Sequence, residues 1–185
     1  TQHHSSAASD VYKRQFHNGE KFDADDVVYT LTYISNPENG AKPARNVNWW
    51  DSAEKLGDYK VRLNLTKEFP AALEFLSGPI VMYPNEYYAE VGPEGMAMKP
   101  VGTGPYAVTS VEPGKRYKFK KNDNYHASSP KGQANIGNIV IRTIAESNTQ
   151  LAELFSGGVD WIWKVKPDQA QRISAQGQFL SLIHI

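Results

Sequence analysis

The sequence predicts an α/β chain of mixed α+β type, and three stretches carry that prediction. Lys99 to Tyr125 reads as a β-hairpin, Asp23 to Ile34 as a capped helix, and Ile139 to Trp163 as strand, helix and strand. At 185 residues the chain is long enough to bury the core of one domain.

The hairpin stretch opens with Pro100, Gly102, Gly104 and Pro105 and turns at Glu112-Pro113-Gly114. There proline presets φ and glycine supplies the positive φ of a tight turn. Its first strand sets Tyr106, Val108 and Ser110 on one face and Ala107, Thr109 and Val111 on the other. The second alternates Tyr117 and Phe119 with Arg116, Lys118 and Lys120, so one face is apolar and the other wet.

In chain order, Asp23 followed by Asp26 predicts an N-cap with a carboxylate at N3, both favoured at the positive end of a helix. Val27, Leu31 and Ile34 continue it at i, i+4 and i+7, and Asn36-Pro37 should stop it. A polar loop from Asn39 to Asn48 ends in Trp49-Trp50. Those two indoles either line a ligand site or anchor the loop to the core. Tyr59, Val61, Leu63 and Leu65 alternate with polar residues as in a half-buried strand, Phe69-Pro70 opens a short helix through Leu76, and Gly78-Pro79 closes it. A short strand is expected at Ile80–Met82, a helix at Pro84–Val91 and a loop from Gly92 to Lys99.

Ile139 to Ile144 is nearly continuous in apolar and β-branched residues, the pattern of a strand covered on both faces. Leu151, Leu154 and Phe155 then share a helical stripe, and Gly157-Gly158 places a glycine where a helix ends. A strand at Val159–Trp163 would complete a right-handed crossover with parallel strands, and Pro167-Asp168 begins another helix.

PVGTGPY at Pro100–Tyr106, followed by a strand, an EPG turn, a basic and aromatic strand and Asn122-x-x-Tyr125, resembles the signature of the extracellular solute-binding proteins of ABC importers, family 5. FHNGEKFDADDVVYTLTY (16–33) and IVIRTIAESNTQLAELFSGGVDWIW (139–163) resemble it too, in the family's order. The resemblance implies part of one lobe of a type II periplasmic-binding-protein-like fold, with a smaller subdomain over 16–98 and part of the main sheet over 99–179. It also implies capture of a peptide, or of a related solute such as a nickel chelate, haem or an oligosaccharide, by hinge closure of two lobes; the rival classes are a regulatory sensor that reuses the same fold and a catalytic α/β enzyme. The partner is an ABC permease, the protein is a periplasmic or lipid-anchored monomer, and no cofactor and no catalysis are expected.

Asp10–Gln15 and Leu180–Ile185 can be encoded by reverse-complementary DNA, GAT GTG TAT AAG AGA CAG and CTG TCT CTT ATA CAC ATC. Inverted flanks of this kind resemble a translated sequencing adapter, so residues 1–15 and 180–185 are expected to be non-native tails around an internal fragment. Such a fragment, lacking strands of its lobe, is expected to fold poorly when isolated as Phe16–Phe179. Three of the five histidines lie in those ends.

Basic and acidic residues balance at 20 each, which leaves no electrostatic footprint for nucleic acid. With no cysteine, thiolate catalysis and Cys-ligated metal sites are excluded. Gly102-x-Gly104 precedes a strand instead of joining a strand to a helix, so it does not read as a phosphate loop. His17 and His126 come with neither a Gly-x-Ser-x-Gly elbow nor a His-Glu-x-x-His motif.

Asp160-Trp161-Ile162-Trp163-Lys164 is the strongest candidate site. In a strand Trp161 and Trp163 would point the same way, making either a core slab or one wall of a cleft. In the resembling family this segment emerges at the cleft between lobes, which implies ligand contact, while Asp160 is expected to cap or orient the crossover. The candidate ligand-binding residues are therefore Trp161, Trp163, Trp49 and Trp50, and no metal site is expected.

Overall fold

Helix α1 (Ala24–Ser35) is set by a reciprocal capping box at its first turn. The computed structural model describes residues 14–40, 47–78, 80–130, 132–177 and 179. Six residues of the expected Asn39–Asn48 loop, Pro79, and most of the two expected tails fall outside them. At α1, Asp23 Oδ1 accepts from the Asp25 N–H at 2.9 Å and Asp26 Oδ2 from the Asp23 N–H at 2.9 Å. The other Asp26 oxygen accepts from the Asn85 N–H at 2.9 Å, so one carboxylate caps α1 and holds the start of a second helix. One turn on, Thr30 Oγ1 accepts from the Tyr83 N–H at 2.9 Å.

That second helix runs Asn85–Met98 (α3), longer than the sequence suggests, with a break at Gly92, whose φ is 67°. Glycine tolerates this left-handed backbone. Pro93 then starts a second helical turn at a position where its missing N–H costs nothing, which is why the expected Gly92–Lys99 loop is helical. The shorter α2 (Ala72–Ser77) follows Phe69-Pro70 as expected. No strand forms at 80–83; the Tyr83 backbone bonds to the Thr30 hydroxyl instead of a neighbouring strand.

Strand β1 (Trp50–Gly57) pairs antiparallel with β2 (Lys60–Leu65), setting Ala53 opposite Leu63 and Lys55 opposite Val61. Under this ribbon lies a core of Leu31, Trp49, Trp50 and Ile80, with Val27, Ile34, Leu63, Phe69 and Phe75 packed around it. The Trp49 ring stacks on Phe69 with centroids 4.7 Å apart and meets Trp50 edge-on, also at 4.7 Å.

The hairpin forms as read, β3 (Tyr106–Glu112) turning at Gly114 (φ 70°) into β4 (Arg116–Lys121), where exposed and half-buried residues alternate. A three-stranded sheet is ordered β3-β4-β5, with β5 at Asn138–Arg142. The bonds Lys121 N–H to Gly137 C=O and Thr143 N–H to Lys115 C=O, both 2.8 Å, run in opposite senses along the two chains, so β5 is antiparallel to β4. Contrary to the buried strand expected, Val140 and Ile141 are exposed. β5 is an edge strand, hydrogen-bonded only to β4 among the described residues.

By internal contacts the chain divides into two units. One takes in the residues up to Glu112 and Tyr117–Val140, the other Pro113–Arg116 and the residues from Ile141 on. The second holds α4 (Ser147–Phe155) and α5 (Pro167–Ser174), whose Leu151, Leu154 and Ile173 form a small core with Phe155, Val159, Ile162 and Val165. The expected strand at Val159–Trp163 is absent, and with it the parallel crossover. A strand exists only where a ladder partner satisfies its backbone, and none stands beside this segment among the described residues.

Candidate functional site

Residues 156–166 leave the end of α4 along a path set by glycine. Gly157 adopts φ 75°, the Gly158 N–H bonds to the Glu153 carbonyl at 2.7 Å and the Gly157 N–H to the Leu154 carbonyl at 3.2 Å. This is a complete Schellman closure, and it turns the chain back across the helix end. Replacing Gly157 by alanine is expected to cost about 1 kcal/mol, because a Cβ is strained in that conformation. Chemical denaturation would check it, and an unchanged midpoint would show that the left-handed turn does not matter.

Arg142 reaches the same turn, its guanidinium donating to both Glu153 carboxylate oxygens at 2.8 and 3.1 Å and to the Gly158 carbonyl at 3.2 Å. The pairing holds the Glu153 carboxyl below the ordinary glutamate value. A Cβ on Gly158 would run into that carboxylate, so a larger residue there would push the Glu153 side chain off Arg142. At the other end of α4 the Glu146 side chain accepts from the Thr149 N–H at 2.6 Å, and the Asn148 N–H, together with that bond, lowers its carboxyl. The N-cap positions of α4 and α5 are Glu146 and Lys166, so Asp160 caps neither.

Beyond the turn, Val159, Ile162 and Val165 point into the small core. Trp161 and Trp163 consequently point outward together, 70% and 65% exposed, with ring centroids 6.0 Å apart and planes inclined at 43°. The alternation expected of a strand is reached here without one. Burial of Ile162 between the two tryptophans does what a ladder would have done. Lys164 follows with φ 56°, a left-handed conformation that costs a residue with a Cβ about 1 kcal/mol. Its ammonium lies 5.3 Å from the Trp163 ring centroid, within cation–π reach. Nothing in the sequence flags this backbone, since lysine is not among the residues that readily take positive φ.

Trp49 and Trp50 are placed otherwise. At 1% and 4% exposure they sit inside the core of the first unit, packed with Leu31 and Ile80. The aromatic pair beside a polar loop is a large apolar area, and burial against Phe69 and Leu31 recovers more of it than a wet surface would.

His17 braces the Gly102–Gly104 turn, Nδ1 accepting from the Gly102 N–H at 3.3 Å and Nε2 bonding the Gly104 carbonyl at 2.9 Å. His126 packs on Tyr125 in a small polar cleft with Thr103, Asn122 and Asn124, and its Nδ1 is buried with no hydrogen-bond partner among the described residues. Among the described residues no cluster of three or more His, Asp or Glu could hold a metal ion, and no helix is long and apolar enough to cross a membrane.

Compared with known proteins, residues 13–181 match the family described as bacterial extracellular solute-binding proteins, family 5 Middle. The glutathione-binding protein GsiB of Pectobacterium atrosepticum is 28% identical over 158 residues, 85% of this chain and 30% of that protein. The oligopeptide-binding protein AppA of Bacillus subtilis is 24% identical over 80% of this chain and 27% of its own length. Among solved structures, NikZ from Campylobacter jejuni in complex with Ni(L-His) superposes with a TM-score of 0.70 at 29% identity, covering 80% of this chain and 29% of NikZ. The chain thus spans about three-tenths of the length of these relatives.

Proposed function

This chain belongs to the bacterial extracellular solute-binding proteins of family 5, and from that we propose that it is one part of the substrate-binding component of an ABC importer, taking up peptides. Its mixed α/β fold is a portion of the fold of such proteins. Residues 16–98 belong to a smaller subdomain and 99–179 to the main sheet of the first lobe. The longer polypeptide works outside the cytoplasmic membrane as a monomer and hands its solute to a permease. It makes and breaks no bond. A ligand gripped between two lobes stabilises the closed state by its higher affinity for that state.

The observation that carries this reading at residue level is the outward Trp161–Trp163 pair. Two mostly exposed indoles on a short segment pinned by Ile162 and the Schellman turn offer a rigid apolar wall. A peptide gains contact area there without the wall having to order itself first. The likeness to NikZ supports a second reading, a metal–amino-acid chelate, whose organic ligand would rest on the same indoles.

Calorimetry on the full-length protein discriminates the two. Dipeptides and oligopeptides are expected to bind, and the Trp161→Ala/Trp163→Ala double variant to bind them at least about tenfold more weakly, a loss of about 1.4 kcal/mol. Binding of nickel–histidine in preference to every peptide tested would replace the peptide reading. Conversion of any bound solute would refute the binder class itself.

A further inference from the structure

We propose that Trp161, Trp163 and Lys164 form a subsite for the C-terminal aromatic residue of a short peptide, the ring lying on the indoles and the carboxylate on the ammonium. This deepens the peptide reading above and rests on it. The two indoles are inclined at 43° with centroids 6.0 Å apart, an open V that leaves most of each ring bare. A third ring can enter such a V edge-on to one indole and offset-stacked on the other, the two arrangements that aromatic quadrupoles favour. An aliphatic side chain fills the same space without that added attraction.

The charge follows from Lys164. Its ammonium is held 5.3 Å from the Trp163 centroid, and no carboxylate among the described residues lies within ion-pair distance of it. A cation fixed beside an aromatic wall, with no carboxylate partner among the described residues, is complementary to a ligand that carries both a ring and a carboxylate. In a C-terminal phenylalanine or tyrosine those two groups stand a few bonds apart. The strained backbone at Lys164 fits the same role, since an extended backbone would set its side chain on the face opposite Trp163.

The test uses the full-length protein and three probes, Ala-Phe, Ala-Leu and Ala-Phe amide, titrated by calorimetry and followed by tryptophan fluorescence. Ala-Phe is expected to bind about 5- to 10-fold more tightly than Ala-Leu. Amidation should weaken Ala-Phe several-fold. Trp161→Leu should weaken Ala-Phe more than Ala-Leu and so narrow the preference for Phe. Lys164→Asn, which keeps a residue tolerant of positive φ, should erase the difference between acid and amide.

Equal affinity for Ala-Phe and Ala-Leu, or an equal loss of both in Trp161→Leu, overturns the aromatic subsite and leaves peptide binding intact. Acrylamide that cannot quench Trp161 or Trp163 in the unliganded protein also overturns it, because the rest of the polypeptide would then cover the pair. Binding of none of the three overturns the peptide reading, and the subsite with it.

Discussion

Replacing Trp49 by alanine is expected to destabilise the first unit by about 3–5 kcal/mol, the largest single-residue effect in the chain. The indole is 99% hidden, stacked on Phe69 and crossed by Trp50, and it stands where β1 leaves the loop to pair with β2. Its removal leaves a large void bounded by side chains already fixed by the ribbon and α1, so the site cannot collapse to fill it. Trp49→Phe keeps the stacked ring and should cost less than half as much. Denaturation of the full-length protein, with hydrogen exchange at the β1 and β2 amides, would measure both. A loss below about 1 kcal/mol for the alanine variant would mean that the ribbon, and not the indole, holds this core.

Asp26→Ala is expected to cost about 2–3 kcal/mol, because two helix starts lose their acceptor at once and each capping bond contributes about 1 kcal/mol. The residue is 2% exposed, and its two oxygens serve the Asp23 and Asn85 N–H groups, 59 residues apart at the wider pairing. Asp26→Asn should fall between, since its amide oxygen can serve one N–H while its NH₂ meets the other, donor against donor. The pH dependence has a definite sign. Burial raises the Asp26 carboxyl above its ordinary value of 3.8, more than the two backbone bonds lower it. The folded chain therefore holds the proton to higher pH than the unfolded chain does. Stability from this group is full below pH 3.8 and declines as pH rises through the higher folded value. The advantage of the native protein over Asp26→Asn should accordingly shrink as pH rises through that window, and an advantage that grows would refute the assignment.

Particular elements show what could be read in advance. The Asp23/Asp26 capping box, the EPG hairpin and the glycine closure of α4 each reside within a few consecutive residues, so their geometry is written in local patterns. β1 was not legible. Trp50–Gly57 holds Ala, Glu, Lys and Leu in no alternating order, residues that favour helix, and becomes a strand only because β2 pairs with it. The opposite error occurred at 159–163, where an alternating pattern lacks a neighbour to pair with. In α3, Gly92-Pro93 resembled a stop and is a break from which helix resumes.

From the order of its residues alone this protein has its family, the capping box of its first helix and its hairpin turn, because each follows from short-range spacing or from motifs in series. Tertiary structure alone decided that Trp49 and Trp50 are core, that Asp26 fastens Asn85 as well as its own helix, and that Lys164 bends back over Trp163. Those outcomes depend on which distant groups compete for the same buried surface or the same hydrogen bond. No local pattern records the winner of that competition.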